Sequence, residues 1–269
     1  MSASHKLVAR YLLANEHEFV FKTAGEIAMI IGVSESTVVR FAGVIGFSNY
    51  SEMQRYMQRE YMRNAPSSER VSDSMVEDGS VLENAVKRDI SYLMKLLRPQ
   101  FQEDFMRAAE MIVGAKRIYV GGSRGASSLA ANFFYNINYM KSNVISLTGD
   151  AGDWQNLMLD CDQDSLLIAV IMPKYSKRTC DMIRFARKLG GQVLTVTDSK
   201  ISPAAELADC VLACEIGLEY FIWSSTIVVS VLNALLVQVA RLNQPAVLER
   251  MKKMDNMIAK IAPQVYEGA

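Results

Sequence analysis

From Lys116 to Glu215, the chain alternates short apolar segments with longer segments of helical periodicity. The apolar segments lack polar alternation, which is typical of strands buried on both faces of a parallel sheet. Strands are predicted over residues 117–120, 144–147, 166–172, 193–197 and 211–215. Helices are predicted over 126–140, 179–189 and 221–241, with a helical turn near 203–207. This pattern predicts an α/β fold, in which helices cover both faces of a five-stranded parallel sheet in three αβα layers.

The first 63 residues have a different pattern, in which every periodic segment is helical. Turn-forming residues then accumulate between Asn64 and Ser80, which is typical of a linker between domains. We therefore predict a helical domain over 1–63, a linker over 64–80 and an α/β domain over 81–269. The α/β domain opens with a predicted helix over 81–97, whose apolar stripe comprises Leu82, Val86, Ile90, Leu93 and Leu97.

Within the helical domain, residues 23–46 have the spacing of two helices joined by a tight turn. Ala28 is small where the two helices would cross, and Gly32 stands where a helix end usually requires positive φ. Val38 follows six residues later and is predicted to point into the core. This spacing is typical of a helix-turn-helix, whose second helix enters the major groove of DNA. An ordinary helical hairpin with a glycine cap is the alternative interpretation.

The second helix of this motif carries short polar side chains and one arginine on its predicted outer face. Its first residue, Ser34, is a natural N-cap. Hydroxyl and guanidinium groups on such a helix contact phosphates and base edges, whereas Glu35 either accepts a hydrogen bond from a base or stabilises the helix dipole. The predicted contacts to double-stranded operator DNA are Ser34, Glu35, Ser36, Thr37 and Arg40.

The charge of the helical domain is nearly balanced, because seven lysines and arginines face six glutamates over residues 1–63. Phosphate attraction supplies most of the sequence-independent affinity for DNA, so one copy is expected to bind weakly. We therefore expect a homodimer or a dimer of dimers that presents two recognition helices. The uncharged helix over 221–241 is a candidate subunit interface.

Two loops of the α/β domain each lead from a predicted strand into a helix. Residues 121–127 are rich in glycine and serine, and residues 174–179 combine hydroxyls with positive charge. Backbone amides at a helix N-terminus favour an anion, so these loops are candidate ligand sites. A ligand-free turn is the alternative for the first loop, and a capped helix beside solvated charges is the alternative for the second. The candidate ligand-binding residues are Gly122, Ser123, Arg124, Ser127, Lys174, Tyr175, Ser176, Lys177 and Thr179.

Three segments of the helical domain, residues 26–28, 32–41 and 45–50, resemble the N-terminal domain of the RpiR family of bacterial regulators. That family joins such a domain to a sugar isomerase (SIS) domain, and the alternation from Lys116 onward is similar to one. The resemblance covers nearly the whole chain. It implies a flavodoxin-like strand order 2-1-3-4-5, which would bring the two loops to one crevice. It also implies a transcription regulator that senses a phosphosugar or a related anionic carbohydrate metabolite.

The second loop departs from the Ser-x-Ser-Gly-x-Thr loop with which SIS domains bind phosphosugars. Ser176 and Thr179 match that pattern, but Lys174 replaces its first serine and Lys177 its glycine. An anion site is therefore still expected, and a more highly charged or carboxylated ligand becomes the alternative to an ordinary sugar phosphate.

Because SIS domains also include isomerases and lyases, an enzyme of that type is the alternative function. Aldose–ketose isomerisation needs a general base, and residues 81–269 contain no histidine. Glu215 and Glu219 are the candidate bases that the sequence offers. The fused DNA-binding domain favours a sensor without catalytic residues over an enzyme.

The four cysteines form no CxxC pair, and no histidine follows His17, so no metal or other cofactor is predicted. Cys210 and Cys214 are expected to be buried thiols. Residues 220–240 are long and uncharged enough to span a bilayer, but their regularly spaced Thr226, Ser230 and Asn233 favour a buried or interface helix. Because no signal peptide opens the chain, a cytoplasmic location without a membrane partner is expected.

Overall fold

The computed structural model describes residues 1–64, 71, 79–149, 153–217 and 222–261. The helices before residue 65 belong to one compact unit, and the strands and helices from residue 81 onward belong to another. The predicted linker over 64–80 lies almost entirely outside the described residues, so its bounds stay a prediction.

Residues 1–64 of the N-terminal unit form five helices: α1 (Ala3–Ala14), α2 (Glu16–Phe21), α3 (Ala24–Ile31), α4 (Glu35–Val44) and α5 (Tyr50–Asn64). Their shared core includes Val8, Phe19, Ile27, Val38 and Met53, none of which is accessible to solvent. Helix α2 was not predicted, because its six residues are too few to show a helical period. It nevertheless brings Phe19 and Val20 into the core.

The second unit begins with helices α6 (Val81–Lys95) and α7 (Pro99–Gly114) and continues as strands and helices in alternation. Pro99 occupies the start of α7, where its missing amide hydrogen leaves no helical bond unmade. The remaining elements are β1 (Arg117–Gly122), α8 (Gly125–Met140), β2 (Val144–Ser146), α9 (Trp154–Leu157), β3 (Ser165–Val170), α10 (Lys177–Lys188), β4 (Gln192–Thr197), β5 (Cys210–Ala213), α11 (Thr226–Leu242) and α12 (Gln244–Ile261).

All five strands are parallel and follow the order β2-β1-β3-β4-β5, which confirms the predicted α/β fold. Successive side chains of a strand point to opposite faces of the sheet. Tyr119, Leu167 and Val193 therefore share one face, where they pack with residues of α9 and α10. Helices α7 and α8 contact the sheet directly, and α11 packs against both of them. The sheet is thus fully covered, and its carboxyl edge carries the loops that follow β1 and β3.

Two elements differ from the sequence prediction. Helix α11 begins at Thr226, later than predicted, and the Thr226 amide donates to the Ser224 hydroxyl at 3.3 Å. Residues 203–207 form turns instead of the predicted helical turn.

Cys210 and Cys214 are buried as expected, and burial raises the pKa of their thiols to about 11 and about 12.

In the part of the chain that the structure describes, no single helix is both long and apolar enough to cross a membrane. Two sharply bent helix pairs, α3 with α4 and α11 with most of α12, reach that length and composition together.

Candidate functional sites

Helices α3 and α4 and the turn between them are fixed by local capping interactions. The Glu26 amide donates to the Thr23 hydroxyl, and the Glu26 carboxylate accepts from the Thr23 amide at 2.7 Å, which forms a capping box. These hydrogen bonds from Thr23 hold the pKa of Glu26 below its ordinary value. Gly32 ends α3 with a φ of 70°, and the Val33 amide returns to the Ala28 carbonyl oxygen. The predicted turn glycine is therefore confirmed.

Helix α5 holds the start of this motif in place. Gln54 donates to the carbonyl oxygens of Val20 (3.3 Å) and Lys22 (2.8 Å), and the Tyr50 hydroxyl donates to the same Lys22 oxygen at 3.3 Å. Burial, with a smaller contribution from the charge of Glu26, raises the pKa of Tyr50 to about 12. These contacts join residues about 30 positions apart, so sequence periodicity gave no sign of them.

The predicted DNA-contacting residues lie together at the start of α4. Ser34 occupies the N-cap position, but its hydroxyl bonds to those of Ser36 (3.0 Å) and Thr37 (2.8 Å). Within the described residues, the Ser34 side chain makes no capping hydrogen bond with a backbone amide of α4. Arg40 donates to the Ser36 carbonyl oxygen at 3.1 Å. Three hydroxyls and one guanidinium therefore form a continuous donor-rich patch.

The exposure of these side chains suits an intermolecular contact. Ser34, Ser36 and Arg40 are exposed and Thr37 is half-buried, whereas the neighbouring Val38 is completely buried. Glu35 is also exposed, but its carboxylate lies beside Gly25 in the first turn of α3. Glu35 is thus placed near the positive end of the α3 dipole, in keeping with the electrostatic alternative for its role.

The two candidate ligand loops meet at the carboxyl edge of the sheet. Strands β1 and β3 pair directly, and Gly122 at the end of β1 lies opposite Val170 at the end of β3. The Thr179 hydroxyl of α10 donates to the Ser123 hydroxyl of the first loop at 3.1 Å. Because Thr179 is fully buried, this hydrogen bond links the loops from within.

Close packing between α8 and the sheet explains why residue 122 is a glycine. A Cβ atom at this position would lie 2.9 Å from both the Ala126 carbonyl oxygen and Ala130 Cβ. Such distances are too short for any side chain, so Gly122 lets the first turn of α8 lie directly over the sheet. Ser127 is half-buried in that turn, where its amide donates to the Arg124 carbonyl oxygen.

Arg124 and Lys174, one in each loop, both have a positive φ angle. Their φ angles are 58° and 63°, a region that non-glycine residues rarely occupy and that costs on the order of 1–3 kcal/mol. Asn143 is the one other non-glycine residue with positive φ in the described ranges. Two of these three strained residues are therefore cationic, and each belongs to a candidate ligand loop.

The remaining residues of the second loop divide into two groups. Ser176 is half-buried at the N-cap of α10 and makes no side-chain capping bond with the residues described. Tyr175 donates its hydroxyl to the buried Asp198 carboxylate at 2.9 Å. Lys177, by contrast, is 88% exposed and pairs with Asp181 at 2.7 Å. The structure therefore does not bring Lys177 to the other loop.

Of the two candidate catalytic bases, the described residues include Glu215. Glu215 lies in an ion pair with Lys95 (2.6 Å) and within 3.6 Å of Arg98. Glu219 lies outside the described residues.

Comparison with known proteins identifies both units. Residues 1–64 match the helix-turn-helix domain of the rpiR family, and residues 111–240 match the SIS domain. An uncharacterised HTH-type transcriptional regulator from Clostridium perfringens is 24% identical over 213 residues, covering 77% of this chain and 74% of the relative.

Two solved structures have similar folds. The sugar isomerase domain of an RpiR transcription factor from Sphaerobacter thermophilus has a TM-score of 0.59 and 22% identity, covering 65% of this chain and 96% of that domain. Vibrio vulnificus NanR, solved in complex with ManNAc-6P, has a TM-score of 0.58 and 19% identity, covering 97% of this chain and 94% of NanR. At these identities the structures support the fold alone. The two domain matches, in the same order along the chain as the two structural units, show that this protein belongs to the RpiR family of helix-turn-helix transcriptional regulators and carries a SIS domain.

Proposed function

We propose that this regulator binds double-stranded operator DNA through the start of α4, using Ser34, Glu35, Ser36, Thr37 and Arg40. The observation that carries the proposal is the exposed patch of three hydroxyls and one guanidinium at the N-terminal turns of the second motif helix. Residues in those turns contact base edges when a recognition helix lies in the major groove. Hydroxyls and arginine also bind phosphates, which fixes the orientation of the helix.

We further propose that the SIS domain binds a small anionic effector derived from a sugar, between the loops after β1 and β3. The Ser123–Thr179 hydrogen bond supports this position, because it holds together two loops that both precede helix N-termini. The cationic side chains of Arg124 and Lys174 support an anionic ligand. The complex of NanR with ManNAc-6P supports a phosphosugar as the first class to test.

We propose that residues 1–63 bind DNA and that residues 64–80 form a linker. Residues 81–269 then bind the effector and form the homodimer. We propose that the chain regulates transcription in the cytoplasm without catalysing a reaction, as its HTH-type relatives indicate. The ion pair that occupies Glu215 also supports a non-catalytic SIS domain.

The DNA proposal is tested by electrophoretic mobility shift with DNA from the regulator's own promoter region. Arg40→Ala is expected to weaken binding by about 10- to 100-fold, since one good base or phosphate contact contributes roughly 1–3 kcal/mol. Arg10→Ala, an exposed arginine on α1, is the matched control and is expected to leave affinity nearly unchanged. If the two variants bind alike, the assignment of α4 as the recognition helix is wrong.

The effector proposal is tested by thermal shift with phosphorylated sugars and phosphorylated sugar acids. A ligand present at about 100 times its Kd stabilises the folded state by roughly 2.7 kcal/mol. Ser176→Ala is expected to abolish that shift, and Ser91→Ala on α6 is expected to preserve it. A ligand that stabilises both variants equally would place the site elsewhere. Turnover of any tested phosphosugar by the wild-type chain would support the isomerase or lyase alternative.

A further inference from the structure

Helix α6 has an apolar face that the second unit does not bury. Its inward side is fixed by buried Tyr92 and by two polar links, Lys95 to Glu215 (2.6 Å) and Ser224 to Asp89 (3.0 Å). On the other side lies a stripe of large apolar residues, each at least 49% exposed. This outward stripe comprises Leu82 (74%), Val86 (49%), Ile90 (53%), Met94 (61%) and Leu97 (65%).

The stripe is continuous along the helix. Its first four members are spaced by four residues, so they form one slanted row over about 18 Å of the helix. Isolated exposed apolar residues are ordinary, but a contiguous row of this size marks an interaction surface. Four of its five members also belong to the apolar stripe predicted from sequence, in which half-buried Leu93 stood in place of exposed Met94.

The three central positions of the stripe are symmetric about Ile90. Val86 and Met94 lie four residues to either side of it. When two copies of α6 pack antiparallel around a twofold axis at Ile90, residue i faces residue 180 − i of the second copy. Val86 then faces Met94, and Ile90 faces its own counterpart, so the centre of the stripe is complementary to itself.

The charges at the ends of the stripe favour the same arrangement. Glu83 lies at the N-terminal end with its side chain 61% exposed, and Arg98 follows the C-terminal end with its side chain 63% exposed. Antiparallel packing places Glu83 of each copy opposite Leu97 of the other, one residue from Arg98. Within its own chain Glu83 also pairs with Lys87 at 2.5 Å, and Arg98 lies 3.6 Å from Glu215. Parallel packing would instead place like charges together, which is unfavourable.

We propose that the outward stripe of α6 is the self-association surface of this regulator, on which a second copy packs its own α6 antiparallel about a twofold axis at Ile90. This proposal rests on the proposed homodimer and specifies the surface that forms it. A specific interface buries about 800 Å² per partner and has a polar rim around an apolar centre. In this proposal the stripe forms that apolar centre. Helix α11, the interface candidate from sequence, buries Ile227, Val231 and Leu235 within its own unit.

The first test measures the self-association of the full chain by sedimentation equilibrium. Ile90→Glu places a charge at the centre of the predicted interface and is expected to weaken the dimer by at least about 30-fold. Ser91→Glu introduces the same side chain at the next, exposed position outside the stripe. It is expected to change the dimer constant by less than about 3-fold. Circular dichroism of both variants verifies that α6 still folds.

The second test uses disulfide cross-linking to verify the twofold axis, in a Cys180→Ser background because the other three native cysteines are buried. Ile90→Cys is expected to form a covalent dimer upon mild oxidation, since the two copies of position 90 face each other. Leu82→Cys is expected to remain uncross-linked, because two copies of position 82 would lie about 24 Å apart along the helix pair.

The outcomes separate this proposal from the homodimer itself. If the wild-type chain is a dimer that Ile90→Glu leaves intact, the α6 surface is wrong while the homodimer stands. If the wild-type chain sediments as a monomer, both are wrong. Cross-linking of Leu82→Cys as efficient as that of Ile90→Cys would also overturn the antiparallel arrangement. Resistance of Ile90→Cys to a maleimide in a monomeric chain would show that a segment of the same chain covers the stripe.

Discussion

Replacing Gly122 by alanine tests whether this glycine serves packing or ligand binding. An added Cβ would meet the Ala126 carbonyl oxygen at 2.9 Å and the Val170 carbonyl oxygen at 3.1 Å. Both are backbone atoms, of α8 and β3, so neither can move aside as a side chain would. Relief requires that α8 shift away from the sheet by several tenths of an ångström. Overpacking of this kind costs about 1–3 kcal/mol.

The expected effect is measured by thermal unfolding of the full chain without ligand. For a domain of 150–250 residues, each kcal/mol lowers Tm by roughly 2–4 °C, so Gly122→Ala is expected to lower Tm by about 2–12 °C. Gly121→Ala is a control at the adjacent residue, because its Cβ would meet the flexible thioether of Met182 at 3.1 Å. That side chain can rotate, and the Tm is expected to change by less than about 2 °C.

The packing explanation is refuted if Gly122→Ala melts within about 1 °C of the wild type, or if Gly121→Ala melts equally early. A Gly122→Ala variant that keeps its Tm but loses its response to an effector would show that the glycine serves the ligand alone. A variant that loses both would support the structure, since the same first turn of α8 supplies the proposed anion site.

Three further predictions address other contacts. Ser123→Ala and Thr179→Val are expected to be non-additive by about 0.5–1.5 kcal/mol in urea unfolding, and strictly additive losses would show that the hydrogen bond between the loops does not form. Lys141→Met should lower the free energy of unfolding by about 1.5–3 kcal/mol, because the Lys141 ammonium donates to three carbonyl oxygens at the end of α7; unchanged stability would contradict that role. Burial raises the pKa of Tyr50 from 10.0 to about 12, so its contribution to stability is complete below pH 10 and lost as the pH rises to about 12. Unfolding midpoints measured across this range should fall less steeply for Tyr50→Phe, and equal slopes would exclude this linkage.

The helix-turn-helix was predictable because its determinants are local. The positive φ of Gly32 and the burial of Val38 both follow from residues within one turn of each helix. The missed helix α2 shows the limit of that approach, since six residues show no period. Its place in the fold depends on Phe19 and on the bonds that Gln54 makes to the chain more than 30 residues earlier.

The sheet was predictable as a set of buried parallel strands, but its strand order was expected only from family resemblance. The apolar composition of the strands predicts that both faces of the sheet are buried. It does not predict which strands lie next to each other. The pairing of β1 with β3 is what allows Thr179 to bond Ser123, 56 residues away in sequence. The contact between the Tyr175 hydroxyl and the Asp198 carboxylate was likewise not predictable, because only the folded chain brings the two side chains together.

Helix α6 shows why periodicity alone cannot assign a helix face to the core. Its outward stripe has the spacing of a buried face, whereas the face that packs inward contains Asp89 and Lys95, which sequence would place in solvent. Those two charges are satisfied by Ser224 and Glu215, residues that lie more than 100 positions later. When polar partners from the same unit satisfy the charges on one face of a helix, that face can pack inward. The apolar face of the helix then remains available to contact another molecule. An amphipathic helix in a regulator expected to act as a dimer should therefore be tested on both faces before either is assigned to the core.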